Sequence, residues 1–266
     1  MQMFSRRFVR VGALVIMTIA LALSAQAASF SNASLKGSYS FLTNLWTANV
    51  STNEFAMVGV LTFDGAGNVT GSYTSVTGGV AQTGTLGGTY TVNSNGTGTI
   101  DFTTGSTAQF AITLNSTAAG VAHGVQLLQT NDSNNEVISG TAVLQSTTAQ
   151  TYSVASLKGN FAFQTNRWTL ETNQGGGIGV FSFDGKGNFK GSGTQVFAGV
   201  SQTGTCTGTY TVNSDGSGSL SITAGDKTQE TAFALNSVAA GKAKGAQLLQ
   251  TNLNDNVDLS GTMLKQ

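Results

Sequence analysis

From Val80 to Val92 the side chains alternate in a strict period of two. Val80, Gln82, Gly84, Leu86, Gly88, Tyr90 and Val92 fall on one face. Ala81, Thr83, Thr85, Gly87, Thr89 and Thr91 fall on the other. That period predicts a strand with an apolar, glycine-relieved face turned inward and a threonine face in water. Comparable runs predict strands at about 37–45, 56–63, 68–75, 81–93, 98–103, 108–114, 123–129 and 137–144. The connections are short and rich in Gly, Asn, Asp and Ser. No sustained helical period follows the first 27 residues. The stretch 116–120 (STAAG) reads either as one helical turn or as a loop. Short, evenly spaced strands predict a sandwich or barrel rather than a βαβ sheet.

The pattern occurs twice. Residues 61–100 return as 181–220, with 24 of 40 positions identical in a gapless alignment. The match extends from Ala33-Ser34-Leu35-Lys36-Gly37, repeated at 155–159, to Ser139-Gly140-Thr141, repeated at 260–262. The chain is a duplication of one β-unit. Its boundary falls in the polar stretch 146–150, which separates a unit at 28–148 from one at 149–266. Eight hairpin-linked strands with one wet face close most simply as an up-and-down barrel, which removes exposed edges. The expected fold is all-β: two tandem antiparallel up-and-down β-barrels of about eight strands each. Two β-sandwiches are the alternative.

Each unit has a short lead-in, Leu35-Lys36 or Leu157-Lys158, before a first strand opening Gly37-Ser38-Tyr39 or Gly159-Asn160-Phe161. In this it resembles the calycin architecture of lipocalins and avidins. Lipocalins carry G-x-W at that place; here the aromatic is present and the tryptophan is not. Where lipocalins place an arginine on the last strand, only Lys265 is near, and only in the second unit. The FDGxGN…GTYTVNSDG pattern is also similar to uncharacterised secreted tandem-barrel proteins of soil bacteria. That resemblance covers nearly the whole mature chain and implies no activity.

The N-terminus changes the charge balance. Arg6, Arg7 and Arg10 precede the apolar run 11–24, and Ala25-Gln26-Ala27 is an A-x-A site. This reads as a signal peptide, residues 1–27, with cleavage near Ala27. The expected product is secreted or periplasmic and not inserted in a membrane. Without those three arginines, nine basic residues face twelve acidic ones. A sparse, weakly acidic charge set argues against nucleic acid, which needs clustered Lys and Arg. The single cysteine, Cys206, cannot form a disulfide within the chain and stands where the first unit has Leu86. It reads as a small apolar core residue, with a catalytic thiol as the minor alternative.

Candidate chemistry is thin. Asp64-Gly65-Ala66-Gly67-Asn68 and Asp184-Gly185-Lys186-Gly187-Asn188 offer one carboxylate and one amide each. That is few for Ca²⁺ and suits tight turns. Gln82 and Gln202 share the inward parity of Tyr90 and Tyr210. An amide there must be hydrogen-bonded, by a ligand, a water or a backbone group. Trp46 and Trp168 end the first strand of each unit. There they could stack on a ligand at a barrel mouth or pack against a neighbouring loop. These six residues form the candidate ligand set. His123 is the only histidine, so a Ser-His-Asp triad could be built at most once, and no nucleophile elbow accompanies it. No metal set, cofactor motif or catalytic residue emerges. The first reading is therefore a non-catalytic secreted module holding a small apolar or amphipathic ligand in each barrel interior. The second is an extracellular structural or adhesive protein with solid barrels, and an enzyme ranks third. The units differ at Leu45/Arg167, Tyr73/Gly193 and Thr77/Phe197, so two pockets need not bind the same molecule.

Overall fold

A computed structural model describes residues 29–47, 55–131, 136–169, 174–252 and 257–266. The expected signal segment lies outside the described residues. The first barrel contains β1 (Lys36–Thr47), β2 (Phe55–Asp64), β3 (Asn68–Thr77), β4 (Val80–Val92), β5 (Thr97–Thr104), β6 (Gln109–Ala118), β7 (Val121–Gln129) and β8 (Glu136–Ser146). The second contains β9 (Lys158–Thr169), β10 (Gly175–Asp184), β11 (Asn188–Phe197), β12 (Val200–Val212), β13 (Ser217–Ala224), β14 (Lys227–Asn236), β15 (Gly245–Gln250) and β16 (Val257–Lys265). Each sheet is antiparallel between sequence neighbours and closes on itself, β1 against β8 and β9 against β16. The barrel reading holds and the sandwich alternative falls.

The stretch 116–120 is neither a helical turn nor a loose loop. β6 runs on to Ala118, and Ala119 and Gly120 turn the chain with φ of 52° and 79°. Two successive positive φ values suit a tight hairpin. The second barrel departs here. Ser237 and Ala240 take positive φ, and the freed N–H groups of Ser237 and Val238 donate to Leu144 and Gln145 carbonyls of β8.

One end of each barrel is plugged. One-turn 3₁₀ segments, Asn32–Ser34 and Val154–Ser156, lie across it. The Tyr90 hydroxyl donates to the Leu35 carbonyl at 2.7 Å, and the Tyr210 hydroxyl donates to the Leu157 carbonyl at 2.9 Å. Above the first plug, Tyr39, Phe63 and Tyr90 pack edge to face at centroid distances of 5.5 and 5.1 Å. Burial, the larger effect, pushes the Tyr90 phenol up to about 12, so it stays a neutral donor.

The expectation that every strand has one wet face needs correction. The threonine face of β4 is exposed, as expected. However, the run 56–63 is apolar on both faces, like a strand buried on both sides. Outward-facing Leu42, Ala56, Val58, Val60 and Val76 of the first barrel form a buried cluster with Ala232, Ala234 and Leu249 of the second. The barrels therefore share an apolar interface. At its edge Ser72 Oγ donates to Asp215 Oδ2 at 2.6 Å. Burial alone would raise the Asp215 carboxyl. Hydrogen bonds from Ser72 and Ser217 outweigh it and hold it below the ordinary value.

Candidate functional site

At the end opposite the plug, the second barrel is hollow. A cavity of about 220 Å³ opens there among inward-facing side chains. Its apolar wall is Phe163 (β9), Phe181 (β10), Leu220 and Ile222 (β13), Leu248 (β15) and Leu259 (β16). Phe163 and Phe181 stack with centroids 4.2 Å apart and planes 14° from parallel. Four amides also border it: Gln195 (β11), Gln202 (β12), Gln229 (β14) and Gln250 (β15). Gln195 and Gln202 are direct cross-strand partners. Gln250 is buried and its Nε2 donates to Asn252 Oδ1 at 3.3 Å. At the rim, Arg167 near the end of β9 lays its guanidinium over the Phe197 ring, 4.3 Å from the centroid. Such stacking fixes a cation beside an apolar surface. The result is an apolar chamber with a hydrogen-bonding rim.

The hollow follows from side-chain size at equivalent positions. Tyr73, Leu86, Phe102 and Phe110 belong to the core of the first barrel or pack against it. The registers place Gly193, Cys206, Ile222 and Thr231 at the matching points of the second. Each replacement is smaller. The largest loss is the Tyr73 ring, which lies against Gly84: a Cβ added there would fall 2.7 Å from it. A Cβ on Gly204, the equivalent of Gly84, would meet no atom within 4 Å.

Cys206 borders this cavity and is half-buried. Burial pushes its thiol up, against a smaller opposing hydrogen bond from the Gly191 backbone. A raised thiol stays protonated at neutral pH and is a poor nucleophile. His123 is exposed on β7 of the other barrel. Asp64 spends its lone pairs on its own turn: Oδ1 accepts from Ala66, Gly67 and Asn68 N–H groups at 2.7, 2.9 and 3.0 Å, and Oδ2 from the Asn68 amide. Asp184 does the same with Lys186 and Asn188. Both motifs are turns.

The expected ligand set divides. Gln202 borders the cavity, but neither Gln82 nor Gln202 is the buried amide that parity implied; both are exposed. The reason is length, since β4 and β12 project past the rim and Val80 and Val200 are exposed as well. Tyr90 and Tyr210 do face inward, but in the plug at the far end, and this corrects their place in the set. Trp46 pairs with Val137 and Trp168 with Asp258 in the backbone ladders near the rim. The sequence reading left Gln195, Gln229 and Gln250 out of the ligand set and noted Arg167 only as a difference between the units. All four match positions inside the strands expected for the first unit, Ser75, Ala108, Gln129 and Leu45, so their inward parity was legible there.

No family model matches the chain, and no curated protein matches it. Among solved structures it is similar to a protein of unknown function from the DUF3598 family of Nostoc punctiforme (12% identity, 88% of this chain and 98% of that one, TM-score 0.27). It is also similar to kievitone hydratase from Nectria haematococca (6% identity, 90% and 91%, TM-score 0.28). A third is HpuA from Kingella denitrificans, solved in complex with human haemoglobin (10% identity, 84% and 91%, TM-score 0.31). Likeness at this level brings neither an activity nor a ligand to this chain.

Proposed function

We propose that this chain is an exported, non-catalytic binding protein whose second barrel takes one small amphipathic molecule. The first barrel serves as its packed partner. The cavity itself carries the reading: about 220 Å³ bordered by two stacked phenylalanines and four glutamines. A chamber of about 150 Å³ is enough to hold a benzene ring. An aromatic or short-chain body fits against Phe163 and Phe181. A carbonyl, hydroxyl or carboxylate head fits the amide rim. The expectation of one ligand per barrel narrows to one per chain, because larger side chains occupy the matching positions of the first barrel. A half-buried, protonated thiol and a histidine on the other barrel offer no acid–base or nucleophilic pair.

The test is native mass spectrometry of mature protein purified from its own host's secretions, beside the Gly204→Phe variant. The expected result is one added small molecule per wild-type chain, lost on denaturation, and a bare variant. A bare wild-type chain, whose Cys206 alkylation is also not slowed by indole, p-cresol or octanoate, would overturn the reading.

A further inference from the structure

The interface between the barrels joins two different faces. The first barrel presents the outer side of β1–β3, and the second presents the outer side of β14–β15. Because the barrels are copies, each also carries the face that its neighbour uses. The second barrel has an outer β9–β11 face, and the first has an outer β6–β7 face. Neither is covered. Val58, 1% exposed in the interface, corresponds to Ile178, 61% exposed; Val76 at 3% corresponds to Val196 at 44%. Leu249, 0% exposed, corresponds to Leu128 at 47%. The Ser72–Asp215 hydrogen bond also has a counterpart pair, Ser192 and Asn95, still able to donate and accept.

We infer that the free β9–β11 face of one chain docks on the free β6–β7 face of a second copy, repeating the internal interface head to tail. A contact between unlike faces leaves one of each unused at the ends, so it builds rings or open filaments rather than closed dimers. The second copy is the occupant because both halves of a fitting interface are already present on one chain. Exposed apolar residues gathered on a face mark contact surfaces, whereas scattered ones do not. The intermolecular contact is weaker than the internal one. Gln164 replaces Leu42 and Thr113 replaces Ala234, and the internal pair gains from its tether. Association is accordingly concentration-dependent. This inference is independent of the cavity.

The experiment is sedimentation velocity on the mature protein across a concentration series, with Ile178→Asp and Leu128→Asp variants. Wild type is expected to form species larger than dimers as concentration rises. Each variant alone is expected to stay monomeric, since every chain lacks one of the two faces. An equal mixture of the variants is expected to form a 1:1 dimer and nothing larger, joined through the two intact faces. Val200→Asp, at an exposed residue outside both faces, is expected to assemble like wild type. Circular dichroism confirms that the variants fold. A wild type monomeric throughout, or variants that assemble alone, would overturn the inference. So would a mixture that stays monomeric.

Discussion

Gly193 faces Gly204 across β11 and β12, at the point where Tyr73 faces Gly84 across β3 and β4. One ring, present in one copy and absent in the other, fills beside Gly84 the space that lies open beside Gly204. The duplication keeps the closed end nearly unchanged, with a tyrosine hydrogen-bonded to the lead-in in both copies. Divergence is concentrated at the open end.

Gly204→Phe should therefore fill the cavity without a collision, because a Cβ there has open space and the residue does not need positive φ. The variant should lose ligand and become more stable by about 1 kcal/mol, through better strand propensity and new apolar burial. Thermal unfolding reads the stability. An unchanged ligand load with Phe in place would show that the bound molecule lies elsewhere.

Tyr73→Ala is the converse. Removing a large core side chain generally costs about 2 to 5 kcal/mol, and less where the site is half-exposed. Tyr73 is partly buried against the first core, so a loss of about 2 kcal/mol is expected. The variant should also gain an opening beside Gly84. Denaturant unfolding measures the loss, and a stability equal to wild type would show that the ring does not support the barrel.

Strand number, closure and duplication were legible because a strict period of two, punctuated by glycine turns, survives in both copies. The hollow was legible only in part. Tyr73/Gly193 stood out as a difference, but its consequence needed the register that sets Gly193 opposite another glycine. The apolar interface was written in the two-sided run at 56–63, yet nothing local said which strands of the second barrel would cover it. Gln82 and Gln202 misled because parity gives the side of a strand and not its depth.

Asp64 gives a titration test of the turns. The Asn68 side chain, then the backbone N–H groups of Asn68, Ala66 and Gly67, hold its carboxyl at about 2, below an ordinary 3.8. A depressed folded value stabilises the fold above the unfolded value, and that contribution fades as pH falls through the folded one. The Asp64 contribution should thus be complete above about pH 4 and vanish near pH 2. Carboxyl-carbon NMR should place its midpoint near 2, and Asp64→Ala should flatten the acid limb of the stability profile. A midpoint near 4 would mean that the turn hydrogen bonds are not maintained in solution.

Cys206 is a native probe of the cavity, since it is the single cysteine and borders the chamber. Alkylation goes through the thiolate, and burial raises this thiol above its ordinary value. At pH 8 the reactive fraction is therefore smaller than for a free cysteine, and the rate should go on rising at pH values where a free thiol has levelled off. A small reagent such as iodoacetamide should react slowly and completely. A reagent too bulky for a chamber of about 220 Å³ should react far more slowly. Bound ligand should slow both. Equal rates for small and bulky reagents, with the pH profile of a free thiol, would mean that the thiol lies open to solvent and that the chamber does not close around it.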